Sequence, residues 1–145
     1  MERTMKKTLW TFLLLLLLLS LGACSAKGDA EIGNTEENKA APAFRTISAE
    51  EAYQMMAESP NFILIDVRTE SEYREGRIED AILIPNDEIE ARAKAELPDK
   101  DQLIFVYCRS GVRSANAAGT LAGMGYSNVY NMGGIIDWPY EIIRD

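Results

Sequence analysis

From residue 44 onward, short apolar runs alternate with segments of helical periodicity, and this alternation limits the folds open to the chain. The most apolar strand candidate is Leu103–Tyr107, and Phe62–Ile65 is also apolar enough to be buried on both faces. Further strands are predicted at 44–47, 82–84 and 128–130, with helices over 49–56, 70–75, 86–97 and 112–124 and a last one running through residue 138. Strands that alternate with helices favour βα units. We therefore predict an α/β domain with a mainly parallel sheet and helices on both faces.

The first 23 residues have the layout of a secretory signal peptide. Basic residues precede a mostly apolar stretch, Leu9–Leu21, that holds seven consecutive leucines. This stretch is about 13 residues long, whereas a membrane-spanning helix needs about 20. The residues Leu21–Cys24 resemble the lipobox of bacterial lipoproteins, in which the cysteine is lipidated and becomes the mature N-terminus. An ordinary signal peptide followed by a chance cysteine is the alternative.

Residues 24–43 are predicted to be a flexible tether, and residues 44–145 the folded domain. The tether is rich in Lys, Glu, Asp and Asn and has almost no large apolar side chain. From Cys24 onward the chain carries 12 basic and 22 acidic side chains, so we expect no nucleic-acid partner. We expect an exported protein of the cell envelope, held at the extracytoplasmic face of a bacterial membrane by a lipid on Cys24.

The sequence contains no histidine and only two cysteines. A histidine general base and a histidine-ligated metal are therefore excluded, and two cysteines alone cannot complete a tetrahedral zinc site. We expect neither a metal nor a cofactor. If Cys24 is acylated, Cys108 is the only free thiol in a protein sent to a potentially oxidising compartment. The presence of that thiol needs an explanation.

Cys108 stands where a predicted strand ends and a predicted helix begins. Gly111 lets the intervening backbone turn tightly, so that successive N–H groups point toward the sulfur at the positive end of the helix dipole. Helix N-termini and nearby arginines lower the pKa of a thiol from about 8.5 to roughly 3.5–7.5. A thiolate already present at neutral pH needs no general base. An inert, buried cysteine is the alternative, and the two arginines and the glycine that follow Cys108 argue against it.

Five motifs in the order expected of one family strengthen this interpretation. The loop Cys108–Arg113 resembles the six-residue active loop of the rhodanese-like sulfurtransferases, which begins with Cys and usually has Gly at its fourth place. The other motifs are Asp66-Val67-Arg68, Glu72-Tyr73 with Gly76-Arg77-Ile78, Ala81 to Pro85, and Gly133-Gly134 to Trp138. Arg77 replaces the usual His and Asp80 the usual Gly. Because Asp tolerates left-handed turn geometry, these departures question a local turn and not the fold.

The resemblance implies a five-stranded parallel sheet with helices on both faces and a sulfurtransferase activity. Cys108 would take sulfane sulfur from thiosulfate or from a persulfide or polysulfide, hold it as a persulfide, and pass it to a thiol or a cyanide-like acceptor. The backbone amides of the loop would hold the persulfide, and Arg109 and Arg113 would attract an anionic donor. The residues of the loop assigned to substrate binding are Arg109, Ser110, Gly111, Val112 and Arg113.

Asp66 and Arg68 follow the second predicted strand and have two possible roles. At the carboxyl end of a parallel strand they could line the site. We favour a supporting, structural role, with an ion pair from Arg68 to Glu72 or Glu75 as its simplest form.

Three other functions compete with sulfur transfer. A non-catalytic rhodanese-like module that binds a partner or senses redox state stays open. Cysteine-dependent phosphatases and arsenate reductases have a longer loop, Cys-x5-Arg, whereas here Arg113 follows Cys108 by five positions and the next residue is Ser114. The shorter loop fits one sulfur atom better than a phosphate. A disulfide oxidoreductase is disfavoured because Cys108 has no Cys-x-x-Cys partner.

Overall fold

The computed structural model describes residues 43–144. The signal peptide predicted over residues 1–23, the lipidation site at Cys24 and nearly all of the predicted tether lie outside this range. Between residues 43 and 144, every helix is too short or too polar to cross a membrane.

Strands and α-helices alternate along the described residues, as the apolar pattern predicts. The elements are β1 (Arg45–Thr46), α1 (Ala49–Glu58), β2 (Phe62–Asp66), α2 (Glu70–Glu75), β3 (Ile82–Leu83), α3 (Ile89–Glu96), β4 (Leu103–Cys108), α4 (Val112–Gly123) and β5 (Val129–Gly134). A 3₁₀-helix, Ile135–Asp137, follows β5. Beyond it, Ile143 forms an antiparallel bridge with Arg77 and so attaches the C-terminal segment to the domain.

The five strands form one parallel sheet in the order β1-β5-β4-β2-β3. The predicted architecture is therefore confirmed. The last strand differs from the prediction, because β5 continues to Gly134 and the terminal helix is only a short 3₁₀ turn. Asn and Gly have low strand propensity, but β5 pairs with a strand on each side. That pairing decides the conformation of residues whose local preference is weak.

The two faces of the sheet bury separate apolar clusters, and β4 contributes to both. Ile104, Val106 and Cys108 point toward the cluster that includes α3 and α4. Phe105 and Tyr107 point toward the other cluster, which includes Ala52 of α1. Because successive side chains of a strand alternate between faces, the carboxyl end of β4 places Cys108 under the first turn of α4.

Asp80 has a left-handed backbone, with φ of 62°. Asp is one of the few residues other than Gly that adopt this conformation at modest cost. The departure from the family pattern at this position is thus accommodated within the turn before β3, and the fold is unaffected.

Candidate active site

Cys108 is the last residue of β4 and lies at the carboxyl edge of the sheet, where the strand gives way to α4. Its side chain is only 1% exposed. Gly111, directly before α4, has φ of 99°, a conformation that favours glycine. This turn brings the backbone N–H of Gly111 toward the sulfur, to which it donates a hydrogen bond of 3.1 Å. The thiol therefore sits in a turn of backbone donors at a helix N-terminus.

These surroundings favour the thiolate. Burial by itself disfavours a charged sulfur, but hydrogen bonds from the backbone and hydroxyl of Ser114 and from the backbone of Gly111 and Ser110 outweigh it. The net effect is to lower the pKa of Cys108 below its ordinary value. A larger fraction of the thiol is then ionised near neutral pH, although the chain has no histidine to act as base.

Ser114 and Asn131 support the loop from beneath, and the sequence reasoning did not identify either as functional. The hydroxyl of Ser114 lies 2.7 Å from Oδ1 of Asn131, 3.0 Å from the carbonyl oxygen of Gly111 and 3.1 Å from that of Gly133. Asn131 Oδ1 also accepts a hydrogen bond from the N–H of Gly133. Both side chains are buried. The sequence offered no signal for Asn131, because the predicted last strand ended at residue 130 and only the structure extends it to Gly134.

Gly134 has no side chain, and the backbone of the active loop at Arg109 and Ser110 occupies the space where a Cβ would lie. The register between β4 and β5 shifts between Val106 and Cys108, so that Cys108 pairs with Gly134. A Cβ on Gly134 would lie 2.3 Å from the carbonyl oxygen of Arg109 and 2.7 Å from Cα of Ser110. Both of these atoms belong to the backbone. Any side chain at position 134 would therefore force the loop or β5 to move.

The two arginines of the loop have different environments. Arg113 donates from Nη1 and Nη2 to the two carboxylate oxygens of Glu72, at 2.8 and 2.7 Å. Hydrogen bonds from Arg113 outweigh burial and lower the pKa of Glu72 to about 2. Arg113 also interacts with the sulfur of Cys108, and both Glu72 and Cys108 raise the pKa of its guanidinium. Its predicted role in attracting an anionic donor stays a prediction. Arg109 is exposed, and its side chain has no ion pair or hydrogen bond with the other described residues.

Arg68 pairs with Asp66, and the pair with Glu72 or Glu75 suggested from the sequence is wrong. Its guanidinium donates to both carboxylate oxygens of Asp66, at 2.6 to 3.0 Å, and to the carbonyl oxygen of Gly76 at 2.7 Å. Asp66 is fully buried and Arg68 is 6% exposed. Glu72 is unavailable because it binds Arg113. The pair thus fixes the chain between β2 and the end of α2, as a structural role requires.

Replacing Ser114 with alanine is expected to raise the pKa of Cys108. The change removes a hydroxyl that favours the thiolate and that also holds Gly111 and Asn131 in place beneath the loop, while burial, which disfavours the thiolate, stays. The rate of alkylation by iodoacetamide should then reach half its plateau at a higher pH than in the wild-type protein. Ser110→Ala is the matched control, since Ser110 contributes through its backbone. An unchanged Ser114→Ala profile would contradict the assignment.

The five-stranded parallel sheet with a cysteine loop at the end of β4 is the arrangement expected of a rhodanese-like domain. Residues 48–139 match the rhodanese-like domain family. The chain therefore belongs to the rhodanese-like domain family.

Relatives of this chain include known sulfurtransferases. It is 41% identical over 93 residues to a sulfurtransferase of Allochromatium vinosum, covering 63% of this chain and 85% of that protein. It is 40% identical over 73 residues to the thiosulfate sulfurtransferase PspE of Escherichia coli, covering 50% of this chain and 70% of that protein. Other relatives are tRNA uridine(34) hydroxylases. The matched part of this chain covers 27% of the length of those proteins.

A solved structure agrees with the fold. The rhodanese-like domain protein of Staphylococcus aureus superposes with a TM-score of 0.62 at 30% identity, covering 70% of this chain and 99% of that one. Together with the sulfurtransferase relatives, this supports a rhodanese-type enzyme with a general sulfurtransferase activity.

Proposed function

We propose that this protein moves sulfane sulfur from an anionic donor to a thiophilic acceptor through a persulfide on Cys108. The observation that carries the proposal is the buried sulfur of Cys108 facing the N–H of Gly111 at 3.1 Å. A persulfide carries its negative charge on the terminal sulfur. Backbone donors at a helix N-terminus stabilise such a charge without needing a cationic side chain in contact with it.

The first half of the reaction loads the enzyme. With thiosulfate as donor, the Cys108 thiolate attacks the outer sulfur and forms a new S–S bond. The bond between the two sulfurs of thiosulfate breaks, and sulfite leaves with the electron pair. The lowered pKa of Cys108 supplies the nucleophile. No oxidant or reductant is consumed in this step.

The second half returns the thiolate. An acceptor nucleophile, such as cyanide or a thiolate, attacks the terminal sulfur of the persulfide. The S–S bond to Cys108 breaks, and its electron pair stays on the cysteine sulfur. Thiocyanate or a new persulfide is released, and the enzyme is ready for another donor.

The pairing of Arg113 supports sulfur transfer over phosphate or arsenate chemistry. An enzyme that holds a tetrahedral oxyanion needs the arginine at the end of the loop to face the anion. Here both terminal nitrogens of the guanidinium of Arg113 donate to Glu72. Arg113 therefore joins the loop to α2 while it also interacts with the sulfur of Cys108. A six-residue turn with this arginine already paired suits a single sulfur better than a phosphate.

Mass spectrometry of the purified protein tests the proposal. Incubation with thiosulfate should add one sulfur to Cys108, and cyanide should then remove it as thiocyanate. Cys108→Ser should show neither change. The absence of a persulfide with thiosulfate and with polysulfide would reject the proposal and favour a binding or redox-sensing module.

Arg109 is expected to set the affinity for an anionic donor. Its guanidinium is exposed beside the loop and is not offset by a carboxylate in the described residues. Arg109→Gln should raise KM for thiosulfate by about 10-fold, in line with the loss of one charge-assisted contact, with a smaller change in kcat. The effect should weaken at high salt, because the site is open to solvent. Equal KM values for the variant and the wild type would contradict this role.

Sulfur transfer outside the cytoplasm is the cellular setting that we propose, and it rests on the sequence. The basic start, the leucine run and the lipobox-like residues before Cys24 support export and lipid anchoring. In a bacterial host, Cys24→Ala should abolish labelling by a fatty-acid analogue and release the protein from the membrane fraction. Labelling that persists in Cys24→Ala would reject the anchor.

A further inference from the structure

A cavity of about 780 Å³ lies on the face of the sheet that α1 covers, away from the active loop. Its walls include Met56 of α1, Phe62 at the first position of β2, and Asp80 just before β3. Cys108 is instead the last residue of β4, and parallel strands place their first and last residues at opposite edges of the sheet. The cavity is therefore separate from the sulfur-binding turn. Its volume lies within the range of about 300–1,000 Å³ that small-molecule sites occupy.

Three aromatic side chains form one wall of this cavity. The ring of Tyr53 stacks on that of Tyr140, with centroids 3.9 Å apart. Trp138 meets Tyr53 and Tyr140 edge-on, at centroid distances of 6.0 and 5.0 Å. Tyr53 is 46% exposed and Tyr140 37% exposed. The rings hold one another in place and still present aromatic surface to the cavity.

The rim of the cavity is acidic. The side chains of Glu79, Asp80 and Glu141 line it and are exposed. Among residues 43–144, these three carboxylates have no ion pair, and the described lining includes neither Lys nor Arg. The guanidinium of Arg77 lies over the ring of Tyr73, 4.7 Å from its centroid, and is not part of the lining. The cavity thus combines aromatic faces in its wall with uncompensated negative charge at its rim.

We propose that this cavity binds a small quaternary ammonium compound. The face of an aromatic ring attracts a cation, and the carboxylates at the rim add to the attraction. A quaternary ammonium has no N–H group, so its methyl groups contact Met56, Phe62 and Ile78 without losing a hydrogen bond. A primary ammonium or a guanidinium carries N–H groups that these apolar side chains cannot accept. The same carboxylates disfavour an anionic sulfur donor, so this site takes a ligand of a different class from the active loop.

Titration calorimetry of the purified protein tests the inference with choline and with the larger benzyltrimethylammonium ion. The control ligand is the neutral alcohol in which carbon replaces the nitrogen of choline, so that the shape is kept and the charge is lost. Choline should bind about tenfold more tightly than this alcohol, as expected for a cation on aromatic faces. The proton NMR signal of its methyl groups should shift upfield on binding, because these protons then lie over the rings. The measurement uses no sulfur donor, so its result is independent of the proposed function.

Variants at the wall and at the rim locate the bound cation. Tyr53→Leu removes a ring but keeps an apolar side chain, so choline should bind about tenfold more weakly and the neutral alcohol as before. Tyr53→Phe keeps the ring and should bind choline like the wild type. Glu141→Gln should weaken choline binding about threefold. Glu90→Gln changes an exposed carboxylate outside the cavity and should have no effect.

Either of two results would overturn the inference. The first is that neither cation binds, or that choline binds no more tightly than the neutral alcohol. The second is that choline binds but Tyr53→Leu leaves its affinity unchanged, since the cation then lies elsewhere on the protein.

Discussion

Replacing Gly134 with alanine is expected to lower the rate of persulfide formation at Cys108 by about 100-fold. The added Cβ would lie 2.3 Å from the carbonyl oxygen of Arg109 and 2.7 Å from Cα of Ser110. Because both are backbone atoms, no side-chain rotation relieves the contact, and the loop must move by about an ångström. A displacement of that size at a reacting centre costs about 100-fold in rate. The measurement is the rate at which thiosulfate loads the purified variant, followed by mass spectrometry.

Gly119→Ala is the matched control for this variant. Gly119 lies within α4, and its added Cβ would be 3.7 Å from Cε1 of Phe44, an ordinary van der Waals contact. Because alanine favours a helix over glycine by about 0.5–1 kcal/mol, this variant should be at least as stable as the wild type and equally active. A Gly134→Ala protein that loads at the wild-type rate would show that the close approach has no role in the reaction.

Replacing Arg68 with alanine is expected to cost about 3–5 kcal/mol in the free energy of unfolding. The change leaves the carboxylate of Asp66 fully buried without its bidentate partner, and an uncompensated buried charge costs about this much. It also removes the donor to the carbonyl oxygen of Gly76. Urea denaturation of the purified protein measures the difference. A loss below about 1 kcal/mol, the upper end for an exposed pair, would contradict the role given to this ion pair.

Two comparison variants isolate the cause of the loss. Arg74→Ala breaks an exposed pair with Glu70 and should cost less than about 1 kcal/mol. The double variant Asp66→Asn/Arg68→Met removes both charges and keeps an acceptor for the backbone N–H of Arg68. It should cost less than Arg68→Ala alone, because no charge is left buried.

The sequence determined the features that depend on neighbours along the chain. Short apolar runs and capping residues predicted the order of strands and helices, and the structure confirms it with five parallel strands. The tight turn at Gly111 was also predictable, since a glycine three residues after Cys108 permits the left-handed backbone that the turn requires. The sequence also indicated that Asp80 would affect only a local turn, because Asp tolerates the left-handed backbone found at this position.

Tertiary structure decided which distant groups meet. Arg113 binds Glu72, 41 residues away in sequence, so Glu72 is not the partner of Arg68. Ser114 reaches Asn131 across 17 positions, and Gly134 packs on the loop of Arg109 and Ser110. Hydrogen bonds and close packing act over a few ångströms, so the choice among several candidate partners depends on strand order and register. Those are properties of the assembled sheet, which no short segment of the sequence contains.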